Sequence, residues 1–394
     1  MRGLLVVLGM LTAMAQADML DALKAYQNSQ YDEARQQFSE LLPLGNAQAA
    51  FNLAAMLYHG QGQAPDLPAA AGYFHFASYL NHPDAEAVYQ QLVAKLDEQQ
   101  QQQAKDVSLQ LRQSLKIQPV KASSKATHYV MAIDSASGTD RTLTSAIKTV
   151  QPTFPRNAAM HGVTGYVRMR YLVDGNGNVR VVDVVDAFPK EVFERSARRA
   201  LLKFEYPATG QFETREISMT FSLEGGSVIT PEALLAVVEQ QKLWVYAIAG
   251  SPQYQEALGT MLSLLGKYNA NNLIVEPSMP LDPANPDWSV FTRPALGKEH
   301  HYIQIPEMFS ADFWWQTAAA NGNSQAQRLL SIYDGRWANY LFERGDGQVL
   351  AWRGVAHIIG GDIEQGNLIL DSAIASGYPA AKDLKSALTK GDQR

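Results

Sequence analysis

The residues from 166 to 223 carry the pattern that most restricts how this chain of 394 residues can fold. Polar and apolar residues alternate over 166–173 and again over 179–185, which is typical of strands with one buried face. Between these segments, residues 174–177 have the sequence Asp-Gly-Asn-Gly. Glycine and asparagine tolerate the backbone conformation of a tight turn, so the pattern predicts an antiparallel hairpin.

After the hairpin, the spacing of the apolar residues changes from two to that of a helix. The residues that share one helical face are Phe193, Ala197, Ala200, Leu201 and Phe204. Alternation then returns over 213–223, with Ile217, Met219 and Phe221 on one side of a predicted closing strand. The sequence therefore predicts a small α+β module made of a hairpin, a covering helix and a last strand.

These residues resemble the C-terminal domain of TonB, the periplasmic energy transducer of Gram-negative bacteria. The shared motifs are Gln151-Pro152-Thr153-Phe154-Pro155, Gly162 with Gly165, Val173-Asp174 with Gly177, Phe193-Glu194, and Lys203-Phe204-Glu205-Tyr206-Pro207. The chain departs from the family at two points, because Phe204 replaces the usual tryptophan and Pro207 comes one residue early.

The resemblance implies that this module binds the short TonB box of an outer-membrane receptor by adding it as a strand to the sheet edge. Carried over to this sequence, the edge is the strand 213–223. The expected peptide-binding residues are Gln151, Pro152, Arg215, Ile217, Met219 and Phe221. The alternative is an edge that pairs within the chain or in a dimer.

The remaining sequence offers little chemistry. No cysteine is present, which excludes disulfides and thiolate metal sites, and the net charge of −6 does not favour nucleic acid as a partner. Asp183 and Asp186 are expected to be solvated charges beside a strand, and the adjacent His300 and His301 to be loop residues. We expect no catalytic residue, no metal ion and no cofactor, and hence a non-enzymatic protein.

The first residues resemble a secretory signal peptide. Arg2 precedes an apolar run over 4–14, and Ala15-Gln16-Ala17 is a small-x-small cleavage site. The pattern predicts cleavage after residue 17 and a periplasmic location. An uncleaved inner-membrane signal anchor is the alternative.

The flanking regions are predicted to be helical. Residues 18–97 resemble Sel-like repeats of the tetratricopeptide class, residues 98–126 read as a glutamine-rich helix extension and linker, and residues 227–394 as degenerate repeats. The expected fold class is thus α+β, with a small TonB-type domain over 127–226, rich in βαβ connections, between two all-α helical-repeat segments.

The resemblance suggests two functions. A complete transducer of this family has a membrane-spanning helix and a long proline-rich segment, and the sequence is not expected to contain either. We therefore expect an accessory of TonB-dependent uptake, with an outer-membrane receptor and possibly TonB, ExbB or ExbD as partners. The alternative is a periplasmic scaffold whose repeats bind an unknown protein and whose TonB-like domain has no role in energised uptake.

Overall fold

The computed structural model describes residues 17–118, 145–221, 231–269, 286, 288 and 307–391. Residues 1–16 of the expected signal peptide, residues 119–126 of the expected extension and linker, and His300 with His301 lie outside these ranges. No helix within the described residues is long and apolar enough to cross a membrane. The chain divides into two compact units, one formed by residues up to 115 with 320–324, the other by the rest.

The first unit is helical. Acidic or amide side chains at residues 18, 46, 66 and 97 cap its helices by accepting a hydrogen bond from a first-turn N–H, which satisfies a group that has no partner inside the helix. The helices are α1 (Met19–Gln27), α2 (Tyr31–Leu41), α3 (Ala47–His59), α4 (Leu67–Tyr79), α5 (Ala85–Val93) and α6 (Glu98–Gln113).

Small residues let these helices approach each other closely. A Cβ atom on Gly72 of α4 would lie 2.7 Å from the side chain of Val107 on α6, so this position has no room for a larger residue. Ala104 and Ser108 of α6 are buried. Helix α6, which lies in the segment predicted as a helix extension and linker, is therefore packed against α4.

The second unit contains an antiparallel sheet of three strands in the order β2-β1-β3. The strands are β1 (Gly165–Val173), β2 (Val179–Phe188) and β3 (Glu213–Phe221), and two helices accompany them, α7 (Arg156–Met160) and α8 (Glu194–Leu201). The mixed fold class, with one small sheet among many helices, is confirmed.

The hairpin turn depends on Asp174 and Gly177. The Asp174 carboxylate accepts hydrogen bonds from the backbone N–H groups of Asn176 and Asn178, at 3.0 and 2.9 Å. Gly177 has a φ of +87°, and a Cβ atom there would collide with the backbone carbonyl of Tyr206. Glycine is required at this position both for its left-handed backbone and for the close approach of a second chain segment.

One face of the sheet packs against α8. Phe193 stacks on Phe221 with ring centroids 4.4 Å apart, and Phe154 contacts both rings edge-on. The predicted helical face is confirmed, because Phe193, Ala197, Ala200, Leu201 and Phe204 are all buried. This apolar face is the core that the alternation of the strands predicts.

Further helices follow β3. They are α9 (Pro231–Gln240), α10 (Leu243–Ile248), α11 (Pro252–Asn269), α12 (Ala311–Ala320), α13 (Ser324–Leu330), α14 (Gly335–Glu343), α15 (Gly347–Ile359), α16 (Ile363–Ala375) and α17 (Pro379–Gly391). Leu172 of β1 and Val181 of β2 belong to the same hydrophobic cluster as residues of α15, α16 and α17. The segments predicted as 127–226 and 227–394 thus share a core on the second face of the sheet.

Candidate functional site: a sheet edge and a buried polar face

The two edges of the sheet have different surroundings. On β2, a bulge opposite Arg168 and Met169 breaks the regular pairing, and the carbonyl of Val185 accepts a hydrogen bond of 2.6 Å from the Gln325 side chain of α13. Strand β3 pairs with β1 on one side, and no further strand pairs with its other side in the part of the chain that the structure describes. The position of β3 as the outer strand is the one expected for a peptide-accepting edge.

Four of the expected peptide-binding residues lie on β3, and their side chains point into the core. Ile217 packs against the apolar cluster, which includes Met219 and Phe221. The guanidinium of Arg215 lies 4.3 Å from the ring centroid of Tyr206, and Arg215 also forms an ion pair of 2.6 Å with Glu213. These side chains fix the position of the strand, so a peptide would meet its backbone.

Gln151 and Pro152 precede the sheet in an extended segment. Gln151 is exposed and Pro152 is half-buried. Phe154, two residues later, holds this segment near the end of β3 through its ring contact with Phe221. The structure therefore brings the predicted segment to one end of the predicted strand.

The outward-facing residues of β3 are polar. Thr214, Glu216 and Ser218 are exposed. Ser218 and Thr220 already have interaction partners. A peptide strand that added to β3 would therefore have to accommodate or replace existing contacts along this edge.

The second face of the sheet carries a row of charged side chains. Arg168 and Arg170 of β1 each place a guanidinium nitrogen 2.8 Å from the carboxylate of Glu216 on β3. Burial alone would raise the pKa of Glu216, but the charges and hydrogen bonds of Arg170 and Arg168 outweigh burial and hold this pKa below its usual value. The carboxylate of Glu216 is thus kept ionised by its neighbours.

Asp183 is a buried carboxylate on the same face, and the expectation that it is solvated was wrong. It is 6% exposed. Its carboxylate accepts hydrogen bonds from the indole N–H of Trp352 at 2.8 Å and the amide of Gln348 at 2.9 Å, both on α15. A helix far along the chain covers this aspartate and supplies its donors.

Asp186 is buried more deeply, and the same expectation was wrong here too. It is 2% exposed, and it accepts hydrogen bonds from the hydroxyl of Tyr166 and from Thr260 of α11, the latter at 3.2 Å. Burial raises the pKa of Asp186 to about 7, and the nearby carboxylate of Glu256 adds to this effect. The polar face therefore holds carboxyl groups whose pKa values are shifted in opposite directions, that of Glu216 downwards and that of Asp186 upwards.

No group of three histidine, aspartate or glutamate side chains within the described residues lies close enough to hold a metal ion. The polar face is instead filled by pairs and triads of protein side chains. The outer strand β3 is the position expected for the addition of an extended peptide.

A family model of the Gram-negative bacterial TonB protein C-terminal matches residues 150–223. "Protein TonB" of Yersinia enterocolitica is 32% identical over 90 residues, which are 23% of this chain and 32% of that protein. "Protein TonB" of Klebsiella aerogenes is 29% identical over 80 residues, 20% of this chain and 33% of that protein. The chain thus spans about a third of the length of these curated relatives.

A solution structure of the Pseudomonas aeruginosa TonB C-terminal domain is 22% identical and has a TM-score of 0.19, covering 22% of this chain and 93% of that one. The helical segments on either side lie outside the family match. The motifs, the hairpin with its covering helix, and the sequence matches together identify residues 150–223 as a TonB C-terminal domain within a longer chain.

Proposed function

We propose that this protein is a non-enzymatic periplasmic accessory of TonB-dependent transport across the outer membrane. In this proposal its TonB C-terminal domain binds a peptide of a receptor or partner protein by strand addition along β3. The observation that carries the proposal is the family match over residues 150–223, which includes the outer strand of the sheet. The signal-peptide pattern over residues 1–17 supports export.

The geometry of β3 supports binding through the backbone. Arg215, Met219 and Phe221 are buried on the core face, so they hold the strand in place and leave its peptide groups as the main source of affinity. The partners we propose are the TonB box of an outer-membrane receptor and, for energised function, TonB, ExbB or ExbD. The helices over 18–97 would recruit a further protein as Sel-like repeats.

A second candidate function is a periplasmic scaffold. The observation that favours it is the packing of α15, α16 and α17 on the second face of the sheet, which makes the TonB-type domain part of a larger core. In a scaffold the helices would bind the partner and the sheet would support them.

Titration of the full chain with a TonB-box peptide separates the two functions. We expect hydrogen exchange of amides in residues 213–221 to slow when the peptide is added, since strand addition protects backbone N–H groups. A Ser218→Pro variant removes one N–H and fixes φ, and should bind at least about tenfold more weakly, a loss of about 1.4 kcal/mol.

Ser218→Ala is the matched control, because it changes the same exposed side chain and keeps the N–H. It should bind like the parent protein, and both variants should melt near the parent temperature. If the parent protein binds no TonB-box peptide, or if binding leaves the amides of β3 unprotected, the scaffold function replaces strand addition.

A further inference from the structure

Two buried carboxyl groups lie on neighbouring elements where Thr260 of α11 hydrogen-bonds to Asp186 of β2. Asp186 comes from β2 and Glu256 from α11, and they are 2% and 4% exposed. Thr260, one helical turn after Glu256, donates its hydroxyl to Asp186 at 3.2 Å. Helix α11 thus reaches the site with side chains from two successive turns.

The charges around the pair do not balance. The ammonium group of Lys190 lies 3.2 Å from the Glu256 carboxylate. Among the described residues, it is the cation that forms an ion pair with this site. Arg168, which lies across from Asp186 in the neighbouring strand, has its guanidinium 2.8 Å from Glu216 instead. With both carboxylates ionised, two buried negative charges would therefore share the ammonium group of Lys190, whose side chain is largely exposed.

A buried charge without a full partner is strongly destabilising, and two like charges in a medium of low dielectric constant repel each other. Burial, as the largest cause, raises the pKa values of both Asp186 and Glu256, while Lys190 acts in the opposite direction for each. Tyr166 and Thr260 donate hydrogen bonds to Asp186 but add no charge. The arrangement with the lowest electrostatic free energy therefore keeps one proton on the pair of carboxyl groups.

We propose that Asp186 and Glu256 together form a proton-binding site, and that the shared proton holds α11 against the sheet. When the proton leaves, repulsion between the two carboxylates loosens this contact. The ligand is a proton, and the responding element is α11, whose Leu258 and Leu262 are otherwise buried in the second unit. The proposal is independent of peptide binding.

The direction of the pH effect follows from the raised pKa. The folded protein holds a proton that the unfolded chain releases near pH 4, so the site contributes its full stability below about pH 4. This contribution is lost as pH rises through the folded pKa of about 7. The contact between α11 and β2 should therefore be tighter at mildly acidic pH than above neutrality.

Hydrogen exchange of the full chain at about pH 5.5 and about pH 8 tests this proposal, with protection factors corrected for the intrinsic pH dependence of exchange. We expect amides in residues 252–265 to be at least about tenfold less protected at the higher pH. Helix α2 in the first unit is the internal control, and its protection should change much less.

Asp186→Asn should abolish this loss of protection, since a carboxamide is neutral at both pH values and keeps the shape of the side chain. Asp183→Asn is the matched control, because Asp183 is a buried aspartate on the same strand whose donors come from Trp352 and Gln348 and not from α11. It should leave the pH dependence of residues 252–265 intact.

A second measurement keeps the proposal testable if a variant does not fold. The side-chain carboxyl carbon of Asp186, labelled with ¹³C in the parent protein, should titrate near neutral pH, and Glu256→Gln should lower its midpoint. Equal protection of residues 252–265 at both pH values in the parent protein would overturn the proposal. So would an unchanged pH response in Asp186→Asn.

Discussion

The two faces of the three-stranded sheet are stabilised in different ways. The face against α8 is mainly apolar, and Phe193, Met169 and Leu201 are fully buried in its core. The other face carries Arg168, Asp183 and other charged side chains among its apolar contacts, and helices from the C-terminal part of the chain cover it. In β1 and β2, the second face is thus largely buried as well, although it carries charged side chains.

The two faces differ in how specific their neighbouring residues must be. Hydrophobic burial is non-directional and roughly proportional to the area removed from water, so many apolar neighbours can supply it. A buried carboxylate such as Asp183 requires donors at hydrogen-bond distance, and the loss of one leaves the group unsatisfied. Substitutions on the two faces should therefore have different dependences on pH and on the chemistry of the replacement.

The largest effect is expected on the apolar face. Phe193→Ala should lower the free energy of unfolding by about 3–5 kcal/mol, because it removes a fully buried ring that stacks on Phe221. Urea unfolding of the full chain, followed by near-UV circular dichroism, measures this loss. Leu202→Ala, at an exposed site just after α8, is the control and should change stability by less than about 0.5 kcal/mol. Equal losses would show that the face against α8 is not the main core.

A smaller effect is expected at the buried Asp183. Trp352→Phe keeps an aromatic ring but removes the indole N–H from the carboxylate, and should cost about 1.5–3 kcal/mol, as for hydrogen bonds to charged groups. Trp337→Phe is the matched control, since the indole of the buried Trp337 donates to the neutral amide of Gln316 at 2.9 Å. Its cost should be about 1 kcal/mol. A larger loss at Trp337 than at Trp352 would contradict the importance of the charged acceptor.

The smallest effect is expected at Glu216. Its pKa is held below the usual value, so its ion pairs contribute stability above the unfolded pKa and lose it as pH falls. Because the side chain is about a third exposed, Glu216→Gln should cost less than about 1 kcal/mol at neutral pH. Thermal melts between about pH 3.5 and 7 should show the difference between parent and variant shrinking towards acid. A difference that grows towards acid would reverse the assigned direction.

Local patterns in the sequence were enough to predict the hairpin, its turn and the covering helix. The turn is specified by Asp174 and Gly177, whose roles depend on residues within a few positions or on a backbone angle that only glycine adopts readily. The helical face with Phe193 follows from spacing alone. These features are local, so a single sequence carries the information that determines them.

The environment of the carboxylates was decided by the tertiary structure. The sequence contained a sign of this burial. Val181 packs on the second face while Val182 and Val184 pack on the first, and apolar residues on both faces indicate a strand buried on both sides. That signal does not say what covers the second face. Trp352 and Thr260, which hydrogen-bond to Asp183 and Asp186, lie 169 and 74 residues further along the chain.

The sequence by itself therefore determined which residues form strands, turn and covering helix, because those choices depend on neighbours along the chain. Only the tertiary structure decided that Asp186 and Glu256 are both buried where α11 contacts β2, because burial and charge depend on neighbours in space. The same carboxyl group on an exposed strand would be an ordinary solvated charge, and α11 is what changes its chemistry.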